Sequence, residues 1–254
     1  MNKNPDSPAQ IRLHKIIAKS GILSLRAAEK AIAEGRVEVN GVTVTKMGAV
    51  ADPATDKITL DGQRIKTPDA PVYLMMYKPT GYVTTRSDEE DRRTVMDLLP
   101  AEFSRLFPVG RLDIMSEGLL LFTNDGDFSQ AILAPRNKIE RVYQVKVRNI
   151  PDKKILEKMV SGITVDGEKL KVMTAKLVSS TKTNARLELV LTEGKKRHIR
   201  RLCQILGIPA MKIKRVAFGP LKLGNLKPGE MIHVPVEKVN AIKKLAARTG
   251  GKKK

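Results

Sequence analysis

GRLDIMSEGLLLFTNDG, residues 110–126, opens as a polar loop, passes through the apolar run Leu119, Leu120, Leu121 and Phe122, and ends in an Asn-Asp-Gly turn. A short apolar run bounded by turn signals reads as a buried strand. The stretch therefore predicts a core strand, with Asp113 at the edge of the loop before it and Asp125 in the turn after it. A loop carboxylate most often caps or turns the chain, so spacing alone leaves the role of Asp113 open.

Outward from this strand, VYLMMY, RVYQVKV, ARLELVL and MIHVPV also read as strands, and residues 152–161 and 198–206 have helical periodicity. Regular βαβ spacing, a GxGxxG turn and a P-loop signature are all missing, so neither a dinucleotide nor a nucleoside triphosphate is indicated. The pattern predicts an α+β fold on a mixed, mostly antiparallel sheet.

The N-terminal region is of a different kind. Ile11, Leu13, Ile16 and Ile17 have near-helical spacing and Gly21 follows as a closing residue; Ser24 then caps LRAAEKAIAE, which ends at Gly35. VEVNGVTV alternates around Asn40-Gly41, a two-residue hairpin turn. Two helices and a hairpin make a small module over residues 10–67. RIKTPDAPV reads as a linker, with 68–76 leading into the first strand of a second domain over 73–245. RTGGKKK closes the chain, and 246–254 is expected to be a disordered basic tail.

The 254 residues carry a formal charge of +20, which makes a polyanion the first partner to consider. The charge is uneven. Residues 1–66 hold 11 Lys/Arg and 7 Asp/Glu, 67–137 hold 7 and 11, and the rest hold 29 and 9. Segment 195–222 has nine Lys/Arg and no acid. Such asymmetry fits an acidic site in a basic frame better than a uniformly adhesive protein. No apolar run approaches the roughly 18 residues of a membrane span and no signal-peptide core is present, so a cytoplasmic location and no membrane are expected. The one cysteine, Cys203, and the scattered His14, His198 and His233 suggest neither disulfide nor metal. Cys203 reads as a packed thiol and His198 as a surface or helix residue.

SLRAAEKAIAEGRVEVNGVTV resembles the small RNA-binding domain shared by a small-subunit ribosomal protein and many RNA-modifying enzymes. The likeness places Arg26, Lys30 and Arg36 where that domain grips RNA. GRLD followed by SEGLLLFTNDG resembles the signature of pseudouridine synthases of the RsuA/RluB type, in which the aspartate of GRLD is essential; here it is Asp113. YKPTGYVTT at 77–85 is similar to the family's Lys-Pro-x-Gly segment, and RVYQVKV to the strand bearing its active-site tyrosine, which would be Tyr143. EGKKRHIRRL at 193–202 is similar to the last motif, making Arg200 the partner of the carboxylate. The sequence Ser-Glu-Gly at 116–118 stands where many relatives have Thr-Thr-Gly or Ser-x-Gly, a departure that leaves Asp113 untouched.

The resemblance spans roughly residues 10–240 and implies isomerisation of a uridine in ribosomal RNA, or in an assembling ribosomal subunit. RLFPVGRLD leans toward the large subunit, with 16S rRNA the alternative. Lys78, Arg111, Lys195, Lys196, Arg197 and Arg201 are the further expected RNA contacts. The reaction has no net redox change and requires no cofactor, and a monomer is the default expectation. An ionised aspartate in a shielded pocket could attack the sugar or base or remove a sugar proton. A guanidinium from Arg200 would hold it ionised, and the ring of Tyr143 would stack on a flipped base. Two other readings compete: a noncatalytic RNA-binding assembly factor, which leaves GRLD with Arg200 unexplained, and a glycoside-cleaving enzyme, which would call for a second carboxylate.

Overall fold

A computed structural model describes residues 10–65 and 70–250 of the chain, with side chains to 247. It divides into two compact units, Met1–Pro71 and Val72–Lys254.

In the first unit, β1 (Ile11–Arg12) leads into α1 (Leu13–Lys19) and α2 (Leu25–Ala33). The Ser24 side chain accepts the Ala27 N–H, capping α2 as its sequence predicts. Next come β2 (Val37–Val39), β3 (Val42–Thr43), β4 (Val50–Ala51), β5 (Ile58–Leu60) and β6 (Gln63–Arg64). Asn40 and Gly41 both take positive φ, at 54° and 80°, which is why Asn-Gly makes the β2–β3 turn. Leu13, Ile17, Ala28, Ala31, Ile32 and Val37 form the core.

The second unit contains β7 (Tyr73–Lys78), β8 (Phe107–Val109), β9 (Ser116–Thr123), α3 (Gly126–Leu133), β10 (Arg141–Arg148), α4 (Lys153–Ser161), β11 (Ile163–Val165), β12 (Glu168–Leu170), β13 (Thr174–Ser180), β14 (Asn184–Leu191), α5 (His198–Ile205), β15 (Ala210–Phe218), β16 (Leu221–Lys222), β17 (Met231–His233) and α6 (Val236–Gly250). Its sheet runs β13-β14-β10-β15-β9-β7-β17, with β16 on β15 and β8 on β9. Only β9 and β15 pair in parallel among these strands; the rest are antiparallel. The chain is thus α+β, with a mixed and mostly antiparallel sheet.

Strand β9 is buried at every residue. Leu119 and Leu121 enter the core shared with α3 and α6, while Leu120 and Phe122 enter that on the opposite face. Burying each such side chain contributes roughly 2 kcal/mol, so both faces anchor β9. The strand also changes neighbour along its length. Ser116–Gly118 pair with Ile213–Arg215 of β15, whereas Leu121–Thr123 pair with β8. Residues 110–115 connect β8 to β9 at this change of partner.

Two expectations are corrected. Asp125 is not a mere turn residue; its carboxylate accepts the Phe128 N–H and caps α3, a helix hidden behind the Asn-Asp-Gly turn signal. Residues 246–250, expected in a disordered tail, continue α6, while 251–254 lie outside the described residues. No helix among the described residues is long and apolar enough to cross a membrane.

Gly118 makes the parallel pairing possible. Its φ is +106°, and a Cβ there would run into the Arg215 backbone. Gly118→Ala is expected to cost at least about 2 kcal/mol in urea unfolding, from backbone strain plus a steric clash; a change under about 0.5 kcal/mol would mean that β9 and β15 separate freely.

Candidate active site

The loop 110–115 has no regular structure of its own, so other segments must hold it. Thr84 clamps Leu112 from both sides: its hydroxyl donates to Leu112 O at 2.7 Å, and its Oγ1 accepts the Leu112 N–H at 3.3 Å. The Gly81 N–H donates to Ile114 O at 2.8 Å. Lys78 is the main brace. Its side chain is fully buried, and Nζ donates to Pro79 O and Ser116 O, both at 2.9 Å, with Asp113 O and Ile114 O at 3.4 and 3.5 Å. Three ammonium protons thus converge on the carbonyls of the loop and its flanks. Burial pushes the Lys78 pKa down to about 8, while Asp113 works against that shift. Lys78, expected among the RNA contacts, therefore has no access to a ligand, because the chain wraps around it.

Asp113 and Arg111 line a cleft of about 620 Å³, together with Arg141 and Tyr143 of β10, Arg215 of β15 and the segment 193–199. Arg200 Nε lies 3.9 Å from Asp113 Oδ2. The contact is single, not the two-pronged grip a guanidinium can make, because Nη2 donates to Met115 O at 2.7 Å and Nη1 reaches Ala210 O at 3.4 Å. Nε is buried without a hydrogen bond, and the Asp113 carboxylate is its ion-pair partner. Burial lowers the Arg200 pKa, and Asp113 opposes the effect. Tyr143 is only 8% exposed; it packs in the core and still borders the cleft.

The other basic positions separate into two groups. Arg111, Lys196 and Arg197 are exposed on the cleft lining. Lys195 and Arg201 are occupied within the chain: Lys195 donates to Lys169 O and pairs with Glu168 at 3.7 Å, and Arg201 pairs with Glu168 at 2.7 Å and Asp166 at 3.1 Å. Together they tie the β11–β12 hairpin to the start of α5. In the first unit, Arg26 is exposed, Lys30 pairs with Glu34 at 3.6 Å, and Arg36 grips Asp61 through two nitrogens.

Four site residues escaped the sequence reading. Thr84 had no signal. Arg141 lies two positions before Tyr143 on an alternating strand and so shares its face. Arg215 is Tyr143's cross-strand partner on β15. His198, read as a surface or helix residue, is 4% exposed and borders the cleft, and burial lowers its pKa. Cys203 is a packed thiol as expected, with burial pushing its pKa up to about 12.

The family model for RNA pseudouridylate synthase matches residues 72–205, a stretch that contains Lys78, Asp113, Tyr143 and Arg200, and the S4 domain matches 11–49. The chain belongs to the RNA pseudouridylate synthase family. As a pseudouridine synthase it is an isomerase. It is similar to Ribosomal large subunit pseudouridine synthase B of Bacillus subtilis, with 36% identity over 92% of this chain and 96% of that protein. An uncharacterised RNA pseudouridine synthase of Aquifex aeolicus is 38% identical over 87% and 89% of the two chains. A crystal structure of a pseudouridylate synthase superposes with a TM-score of 0.64 and 26% identity, covering 91% of this chain and 99% of its own.

The Lys78 brace has a pH signature. The folded chain releases this proton near pH 8 and the unfolded chain near 10.5, so in that window unfolding takes a proton up and the residue's contribution to stability rises with pH. Relative to Lys78→Met, the parent is expected to gain about 2 kcal/mol between pH 7.5 and 9.5 in urea unfolding. A pH-independent difference would mean that the ammonium is not desolvated. The same variant, by loosening 110–115, is expected to lose on the order of 100-fold in turnover at pH 7.5.

Proposed function

We propose that this chain converts a uridine of large-subunit ribosomal RNA to pseudouridine, with Asp113 as the catalytic carboxylate. The observation that carries this reading is Asp113 itself: a loop carboxylate braced at the edge of a cleft whose other charged lining groups, apart from Glu193, are basic or histidine. Support for the RNA class comes from the Bacillus subtilis relative, whose name specifies the large ribosomal subunit and which matches along nearly its whole length. The S4 match and the charge of +20 support RNA as the partner.

In this reading the target uridine leaves its helix and enters the cleft, where the lining portion of Tyr143 holds the base by stacking. Asp113 either attacks the nucleotide or removes a sugar proton, and both steps require its ionised form. Arg200 stands beside it as the opposite charge; the 3.9 Å contact shortens when the site closes on RNA. Exposed Arg111, Lys196 and Arg197 meet backbone phosphates, and Arg26, Lys30 and Arg36 add contacts from the first unit. In this reading the chain acts as a monomer. The isomerisation has no net redox change, and no cofactor enters.

The test is to incubate the chain with unmodified rRNA of both subunits and to map pseudouridine by carbodiimide-dependent primer extension. One new stop in large-subunit rRNA is expected. Asp113→Asn should abolish it, a loss of at least about 1,000-fold, while RNA affinity stays within about threefold, since the carboxylate serves the chemical step and not phosphate binding. A stop in small-subunit rRNA alone would move the substrate, and an active Asp113→Asn would remove the residue from catalysis.

A further inference from the structure

Two arginines at the floor of the cleft have no part in the steps above. Arg141 and Arg215 are 7% and 4% exposed and border the cleft beside Tyr143. Among the described residues each guanidinium has one hydrogen bond, and each goes to the backbone: Arg141 Nη1 to Thr192 O at 3.0 Å, Arg215 Nε to Leu119 O at 2.7 Å. Both lie over the Phe218 ring, 5.0 and 5.6 Å from its centroid. Among the described residues neither pairs with a carboxylate, and the buried acid of the same sheet, Glu117, is taken by the Tyr77 hydroxyl at 2.9 Å and Lys212 at 3.0 Å.

Two neighbouring cations out of water without a counter-charge are costly, and one aromatic face offsets only part of that cost. The charges repel across the strand pair, and burial already weakens Arg141's hold on its proton. The remaining donors are open to an anion that reaches the floor. Backbone phosphates find Arg111, Lys196 and Arg197 exposed on the lining, so the floor is left to the base.

The isomerisation itself generates such an anion. Heterolysis of N1–C1′ leaves the bonding pair on the base, spread over O2 and O4. In exchange, C1′ takes a pair from Asp113 or from its C2′–H bond. C5 then donates a ring pair to C1′; where an Asp113–C1′ bond had formed, it breaks and its pair returns to the carboxylate, and where a C2′ proton had been removed, it returns. The C5 proton departs and N1 takes one up, so atoms and charge balance. We propose that Arg141 and Arg215 form a subsite for the detached uracil monoanion, donating to its carbonyl oxygens while the ring turns from N1 to C5. The proposal rests on the pseudouridine synthase reading of the Asp113 cleft and adds a specific role for its floor.

Barbiturate, a planar pyrimidine that is an anion at neutral pH, is the probe. Titrated into the full chain at pH 7.5 by calorimetry, it is expected to bind at least about tenfold more tightly than neutral uracil, because charge-assisted hydrogen bonds exceed neutral ones. Arg141→Gln should erase that preference and cut the single-turnover rate about 100-fold, as loss of an oxyanion donor does. Its RNA affinity and the salt dependence of that affinity should be unchanged. An active parent with no preference for barbiturate overturns the proposal while leaving the reaction standing, and it does so even if the variant fails to fold. Weaker RNA binding by Arg141→Gln with a shallower salt slope also overturns it, assigning the residue to a phosphate. A parent that forms no pseudouridine on any rRNA overturns the reaction and the proposal together.

Discussion

The site depends on the burial of one ammonium group. Lys78 ends β7 with Nζ enclosed by four carbonyls, two of them belonging to the loop that bears Asp113. A loop without regular hydrogen bonding would ordinarily sample many conformations at a cost of about 1–2 kcal/mol per residue to fix. Here its carbonyls are gathered onto a single cation and onto Thr84 and Gly81, all from one short segment, Lys78–Thr84. The carboxylate is held by its backbone, and its side chain is left at the cleft. Such pre-organisation fixes the carboxylate at the cleft before any ligand arrives.

The sheet supplies the opening. Because β9 pairs with β15 over its first residues and with β8 over its last, the loop between β8 and β9 arises where the partner changes. Gly118 allows the tight parallel approach of β9 to β15, and on its other side β15 pairs with β10, which sets Arg215 opposite Tyr143. The same construction gathers Asp113, Glu193 and the guanidinium groups of Arg111, Arg141, Arg197 and Arg215 around a space of about 620 Å³, with Arg200 beside Asp113. Three of these cations have backbone anchors: Met115 and Ala210 for Arg200, Thr192 for Arg141, Leu119 for Arg215. Cations fixed in this way can stabilise negative charge placed among them.

Much of this was legible in the sequence where local chemistry determines structure. Asn40-Gly41 forced its turn, Ser24 capped its helix, and the Leu119–Phe122 run marked the central strand, because each signal acts over a few residues. The resemblance in GRLD and in EGKKRHIRRL brought Asp113 and Arg200 together, and the structure sets them 3.9 Å apart. What could not be read depended on distant partners. Lys78 looks like a solvated cation until the carbonyls around it, some 35–38 residues away, are in place. Lys195 and Arg201 look available until Glu168 folds against them. Arg141 and Arg215 are unremarkable strand residues until β10 and β15 pair. Helix α3 was missed because its cap, Asp125, also satisfies a turn pattern.

The most direct test of the account is a structure of the chain bound to an RNA that carries its target uridine. The account predicts that nucleotide turned out of its helix into the cleft, with an Asp113 carboxylate oxygen about 3–3.5 Å from C1′ or from the hydrogen on C2′. Lys78 should still hold the loop from behind. A uridine left stacked in its helix, or one seated against another side chain with Asp113 out of reach of the sugar, would contradict it.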